Sequence, residues 1–182
     1  MLSALLSRTT VGRNLLCRAV HHHRLMSTSS SSSTVKVSFV GLGNMGMQMA
    51  LNLAKQREDE LSNMQFTVYD MNEANISTFM KQAETAGISN STVLQSASGL
   101  TALAEANPDF VVTSLPTCEA SESVVGEISS NLPSSSCATG CLFIDTSTIS
   151  PAVSKKLHKQ VKAVSPHHDY VDAPMSGGVK GA

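Results

Sequence analysis

From residue 34 onward the apolar positions along the chain follow two alternating rhythms. Short runs rich in β-branched and aromatic residues, Val35 to Val40, Gln65 to Tyr69, Asp109 to Leu115 and Leu142 to Asp145, predict buried strands. Thr92 to Gln95 predicts a weaker strand and Tyr170 to Asp172 a short last one. Between them the spacing is helical. Asn44 to Gln56 is expected to turn Met45, Met49 and Leu53 toward an apolar side, and Glu73 to Ala86 is expected to end at Gly87. A short helix near Gly99 to Ala106 follows, then one over Glu119 to Leu132. A last helix opens at Pro151, with Ser150 as its cap and Lys155, Lys156 and Lys159 facing outward. Strands that alternate with helices pair in parallel through right-handed crossovers, so the pattern predicts a doubly wound α/β sheet. No internal repeat interrupts it.

Residues 1 to 33 do not share this rhythm. They hold Arg8, Arg13, Arg18 and Arg24 before the first acidic residue, Glu58, together with scattered leucines and a serine tract from Ser29 to Ser33. That is the composition of a mitochondrial transit peptide, and it points to the mitochondrial matrix; an ordinary disordered basic tail is the alternative. His21, His22 and His23 fall in this leader, where nothing holds them in a metal-binding geometry. The remaining segment, 34 to 182, is long enough for one domain.

Charge narrows the partners. The 182 residues carry 13 basic and 14 acidic side chains, and removing the four leader arginines leaves nine against 14, or −5. A domain of that sign does not attract nucleic acid or an anionic membrane surface, and no apolar run reaches the roughly 18 residues of a membrane span. With Cys17 in the leader, Cys118, Cys137 and Cys141 are odd in number and lack paired spacing, which does not indicate a disulfide framework. Cys137 and Cys141 have no histidine or second cysteine pair nearby, so no metal is expected.

The strongest chemical signal is Gly41-Leu42-Gly43-Asn44-Met45-Gly46, a G-x-G-x-x-G loop that follows a predicted strand and opens a predicted helix. Gly41 permits the tight turn, Gly43 lets backbone approach a pyrophosphate, and Gly46 lets helix and strand pack closely. The helix N-terminus then offers free N–H groups and positive dipole to phosphate. The plainer alternative is a merely flexible turn. Asp70 ends the second strand 24 residues past Gly46, about where an acid accepts from the adenosine ribose hydroxyls and repels a 2′-phosphate. The nearest cation downstream is Lys81, so NAD is expected over NADP. Asp70 as a simple helix cap is the alternative, a role that suits Asn72 better.

Four segments carry a family resemblance. Phe39-Val40-Gly41-Leu42-Gly43-Asn44-Met45-Gly46, Thr113-Ser114-Leu115-Pro116-Thr117, Ile144-Asp145-Thr146-Ser147-Thr148-Ile149-Ser150-Pro151 and Asp172-Ala173-Pro174-Met175-Ser176-Gly177-Gly178 occur in this order. Together they resemble the β-hydroxyacid dehydrogenase family, nearest to members that oxidise 3-hydroxyisobutyrate. The resemblance implies a Rossmann-type, mostly parallel sheet, with Leu115 and Pro116 against the cofactor and Thr148 beside the nicotinamide. It further implies that Ser176, Gly177 and Gly178 hold a substrate carboxylate. From the residues alone, the hydroxyls of Thr148 and Ser176 and the bare amides of the glycine pair suit an anion, and a plain turn at Gly177 and Gly178 is an equal reading. One departure is Ala120, where the family often has an asparagine near the cofactor. Ser134 to Cys141 is also unusual for the family and is expected to be a surface loop.

The family's catalytic lysine lies in an all-helical second domain. Its position is expected beyond Ala182, so no catalytic residue is assigned within the chain and Lys180 does not match. Residues 34 to 182 are therefore expected to be an NAD-binding domain cut off after the substrate loop. The implied activity is NAD-dependent oxidation of 3-hydroxyisobutyrate to methylmalonate semialdehyde, carried here by a cofactor-binding fragment with little turnover of its own. Two alternatives remain: a reductase of another small semialdehyde in the same family, and a non-enzymatic dinucleotide-binding module. Beyond a small hydroxy acid, the expected partner is a second copy or a full-length subunit.

Overall fold

The computed structural model of the chain describes residues 34–55, 64–88, 93–133 and 140–176. The leader, Cys137, Gly177, Gly178 and Lys180 lie outside them, as does most of the Ser134 to Cys141 segment. Six strands are described: β1 Val35–Val40, β2 Met64–Tyr69, β3 Val93–Ser96, β4 Phe110–Thr113, β5 Leu142–Asp145 and β6 Asp169–Asp172. The helices between them are α1 Asn44–Lys55, α2 Glu73–Thr85, α3 Leu100–Glu105, α4 Cys118–Asn131 and α5 Pro151–Val164. The strands form one sheet in the order β3-β2-β1-β4-β5-β6, and every neighbouring pair is parallel. The doubly wound sheet read from the alternating pattern is thus the observed one.

A parallel sheet covered by helices buries both of its faces, which is why its strands read as continuous apolar runs. In β1, Val35, Val37, Phe39 and Val40 are all buried. On one face Phe39 and Phe66 sit with ring centroids 6.5 Å apart, and Phe66 and Phe79 of α2 with centroids 6.3 Å apart. On the other, Val111, Phe143 and Tyr170 pack with Leu103, Val125, Ile128, Leu157 and Val161 from α3, α4 and α5. Burying a Phe, Leu or Ile side chain contributes roughly 1.5–3 kcal/mol, so this core holds the strand ends in fixed register. The winding reverses between β1 and β4, and such a reversal opens a crevice at the carboxyl ends of the two strands.

Local signals hold at most helix starts. The Asn72 side chain accepts from the Ala74 N–H (3.0 Å), and the Ser150 hydroxyl accepts from the Val153 N–H (3.3 Å) with Pro151 in the first turn. Gly87 follows α2 at φ +72°, its N–H donating to the Glu84 carbonyl. Two expectations need correction. The buried stripe of α1 is Met47, Ala50, Leu51 and Ala54, not Met45, Met49 and Leu53. The helix is apolar on more than one side, so periodicity did not single out the core face. The strand β4 stops at Thr113 instead of Leu115, because the Leu115 N–H leaves the ladder to donate to the Ser147 hydroxyl (2.8 Å).

Beneath β5 and β6, His168 is buried, and its Nδ1 accepts from the Cys141 N–H at 3.0 Å. Burial, followed by the neighbouring His167 and Lys162, holds its pKa below the ordinary histidine value. The unfolded chain then binds a proton that the native chain does not, so stability is intact above about pH 6.5 and falls as pH drops through that value. Melting temperatures taken from pH 7.5 to pH 5 should decline below about pH 6.5, and His168→Asn should flatten that decline. An equal decline in the variant would refute the assignment.

Candidate functional site

The crevice at the switch point is a cleft of ≈ 870 Å³. Gly41, Gly43, Asn44, Met45 and Gly46 line it at the start of α1, with Asp70 at the end of β2, Leu115 and Pro116 after β4, and Thr148 after β5. These are cofactor-contact residues expected from the sequence, and the fold gathers them from four segments. Leu42 is the exception: its side chain is buried in the core and its N–H donates to Asp70 Oδ2 at 2.6 Å. Met175 also lines the cleft, and the neighbouring Ser176 is exposed.

The three loop glycines have three different reasons. Gly41 lies at φ +94°, and a Cβ there would overlap the Ser114 carbonyl oxygen. A Cβ on Gly46 would overlap the Gly41 carbonyl oxygen, so this glycine is where helix and loop touch. At Gly43 a Cβ would meet nothing within 4 Å. No protein atom excludes a side chain there, yet the position faces the cleft. Space of that kind above the first turn of a helix, whose amides have no carbonyl one turn back, fits a diphosphate.

Asp70 is tied to that loop. Beyond the Leu42 amide, its Oδ1 accepts from the Asn72 N–H (2.8 Å) and from Asn75 Nδ2 (3.2 Å). Each carboxylate oxygen has two lone pairs; Oδ1 is filled by these two donors, and Oδ2, which holds the Leu42 amide, keeps room for one sugar hydroxyl. Among the described residues the lining holds two acids, Asp70 and Glu127, and no lysine, arginine or histidine. Among the described residues, attraction for a diphosphate therefore comes from backbone amides and helix dipole. Among the described lining residues, an added 2′-phosphate would meet the Asp70 carboxylate and no cation.

Other lining residues were not anticipated as such. Met49, read as core, joins the expected Met45 in an apolar wall on α1, and Met71, 91% exposed, stands beside Asp70. On α4 the cleft face is Ala120, Ser123, Val124 and Glu127, a spacing of three and four that marks one side of a helix. That spacing was available in the sequence but lacked an assigned direction. Thr117 caps this helix, accepting from the Ala120 N–H at 3.1 Å. Ala120 thus sits at the cleft where the family often has an asparagine. Ser147, half of a D-x-S pattern, anchors the Leu115 amide from a buried position.

Comparison with known proteins agrees with the geometry. A family model described as the NAD binding domain of 6-phosphogluconate dehydrogenase matches residues 36–182. The 2-(hydroxymethyl)glutarate dehydrogenase of Eubacterium barkeri is 36% identical over 151 residues, covering 82% of this chain and 42% of that protein. The mitochondrial 3-hydroxyisobutyrate dehydrogenase of Drosophila melanogaster is 33% identical over 159 residues, covering 87% of this chain and 41% of its own length. Among solved structures, a 3-hydroxyisobutyrate dehydrogenase from Mycobacterium tuberculosis with L-serine is similar at a TM-score of 0.61 and 28% identity, over 81% of this chain and 43% of that one. The chain thus spans about two fifths of the length of the relatives it matches.

Proposed function

Because the chain belongs to the family of the NAD binding domain of 6-phosphogluconate dehydrogenase, we propose that its cleft holds NAD in the service of oxidising a small 3-hydroxy acid, 3-hydroxyisobutyrate above others. The observation that carries this reading is the pairing of an open Gly43 at the start of α1 with Asp70 at the end of β2. NAD, when bound, supplies the hydride acceptor. The amides at the first turn of α1 hold its diphosphate, and Asp70 accepts from a ribose hydroxyl while bracing the loop through Leu42. Leu115 and Pro116 close the side of the cleft toward β4, and Thr148 offers a hydroxyl beyond them. Ser176, with the amides of Gly177 and Gly178, takes the substrate carboxylate.

The substrate class follows from chemistry shared by the relatives. 3-Hydroxyisobutyrate, 2-(hydroxymethyl)glutarate and L-serine all present a primary alcohol on the carbon next to the one that bears the carboxylate. They differ in the third substituent: methyl, carboxyethyl and ammonium. The described lining has no cation to pair a second carboxylate, which favours the methyl compound over the glutarate. Leader composition and the mitochondrial relatives support a mitochondrial matrix location. Removal of the alcohol proton needs a base within hydrogen-bond reach, and no lysine or histidine lines the described cleft. The 182 residues alone should therefore turn over more slowly than about 1 per second, the low end for complete enzymes.

A fluorescence titration tests the reading: NADH should bind the full chain with a micromolar dissociation constant, about −8 kcal/mol, and NADPH far more weakly. Asp70→Asn keeps an oxygen for the Leu42 amide but removes the charge. It should narrow the preference for NADH over NADPH by roughly tenfold, the equivalent of one exposed charge contact of about 1.4 kcal/mol. Equal affinity of the unaltered chain for the two coenzymes would count against the role given to Asp70.

A further inference from the structure

Asp145, the last residue of β5, is fully buried, yet both donors to its carboxylate come from segments that lead to the cleft. Its Oδ1 accepts from the Ser147 N–H at 2.9 Å and its Oδ2 from the Tyr170 O–H of β6 at 3.0 Å. The Ser147 hydroxyl in turn accepts from the Leu115 N–H at 2.8 Å. The backbone repeats the connection: the Asp145 carbonyl accepts from the Ala173 N–H (2.7 Å), and the Thr146 N–H donates to the Thr113 carbonyl (2.9 Å). Leu115, Ser147 and Met175 line the cleft, one on each of the three segments so joined.

We propose that Asp145 is a positioning residue that locks the turns after β4 and β5 to the strand carrying the substrate loop, and so sets the end of the cleft away from Asp70. The inference rests on the cofactor reading above. The two donors sit on separate oxygens, the Ser147 N–H on Oδ1 and the Tyr170 O–H on Oδ2, so both atoms must accept, which a carboxylate's oxygens do and an amide, with an NH2 in place of one of them, does not. Burying it is costly unless hydrogen bonds compensate, and bonds to a charged group are about twice as strong as neutral ones. The Tyr170 hydroxyl is committed as a donor: burial and then the adjacent Asp145 push its pKa up. Position separates the two ends of the cleft. In the order β2-β1-β4-β5, Asp70 and Asp145 end strands three places apart, about 14 Å at the usual strand spacing. The adenylate half of the dinucleotide belongs at the first and the nicotinamide half at the second.

The test compares NADH with AMP, the adenylate half alone, on the full chain and its variants. In Asp145→Ala and Ser147→Ala, NADH should bind roughly tenfold more weakly, the effect of one lost hydrogen bond to a buried group, while AMP affinity should stay within about twofold. Tyr170→Phe should show the same selectivity with a smaller loss. Asp145→Asn should recover part of the NADH affinity, since the amide oxygen still accepts from Ser147 and the amide nitrogen can donate to the phenol oxygen. Should Asp145→Ala not fold, Ser147→Ala and Tyr170→Phe decide the matter. Equal losses for NADH and AMP, or no loss for NADH in Ser147→Ala, would overturn the inference and leave the cofactor reading standing. An unaltered chain that bound neither ligand would instead remove the cofactor reading, and the inference with it.

Discussion

Alanine at Gly43 should leave the domain as stable as before and weaken NADH binding. Apart from its own chain neighbours, no atom of the described residues lies within 4 Å of the position a Cβ would take, and Gly43 is not among the glycines with positive φ. The substitution therefore costs the folded state nothing in contacts, and it restricts the unfolded chain, worth about 0.4–1 kcal/mol in favour of folding. The melting temperature should hold or rise by a few degrees. The added methyl group, however, occupies space proposed for the diphosphate. Forcing a methyl into a filled contact costs about 1–3 kcal/mol, so the dissociation constant for NADH should rise roughly five- to hundredfold. Stability and binding moving in opposite directions is the signature of a glycine kept for the ligand. A fall in both would mean that Gly43 serves the fold.

Alanine at Gly46 should do the reverse of the first half and more of the second. A Cβ there would overlap the Gly41 carbonyl oxygen and crowd the Ser114 side chain. Relief requires moving backbone, and Gly41 cannot shift freely because it is itself packed on the Ser114 carbonyl at φ +94°. The gain in helix propensity of about 1 kcal/mol is outweighed by an overpacking cost of up to roughly 3 kcal/mol or more. For a domain of this size each kcal/mol lowers the melting temperature by about 2–4 °C, so thermal unfolding should shift down by several degrees. NADH binding should fall by at least about a hundredfold, because the loop that presents the amides moves as a unit. Unfolding by circular dichroism and NADH titration on the same samples would measure both.

The contrast between these two glycines explains what was readable from the sequence. The loop was legible because its requirements are steric and local: a tight turn, an open approach and a close packing contact fall within six residues. Asp70 and the cap at Asn72 were legible for the same reason, each acting within a few positions. On α1 the sequence was ambiguous, since Met45, Met47, Met49 and Leu51 are all apolar and only the fold decides which of them meets the sheet. Met45 and Met49 proved to wall the cleft, which is apolar surface with a use other than the core. The Asp145 relay was not legible at all. Its partners lie 25 and 32 residues apart along the chain, and parallel pairing alone brings them together. The D-x-S pattern was visible as a family feature, but its physical content, an acid holding a serine that holds a neighbouring turn, needed the strand order.

The same distinction bears on function. The proposed adenylate end of the cleft rests on short-range features of β1, α1 and β2. The end proposed for the nicotinamide is assembled from β4, β5 and β6, through contacts between distant segments. Substitutions of the first kind should act on any ligand with a diphosphate, and those of the second should separate whole dinucleotide from half.

The central claim, that a dinucleotide lies across the carboxyl ends of β2, β1, β4 and β5 with its diphosphate over Gly43, is tested most directly by amide shift mapping. Nitrogen-15 spectra of the 182-residue chain would be recorded as NAD is added to saturation. The account predicts saturable changes concentrated at residues 41–46, at Asp70 and Met71, at Ser114 and Leu115 and at residues 146–148, with α5 and the outer face of α2 quiet. No change at millimolar NAD, or changes clustered away from Gly43 and Asp70, would contradict it.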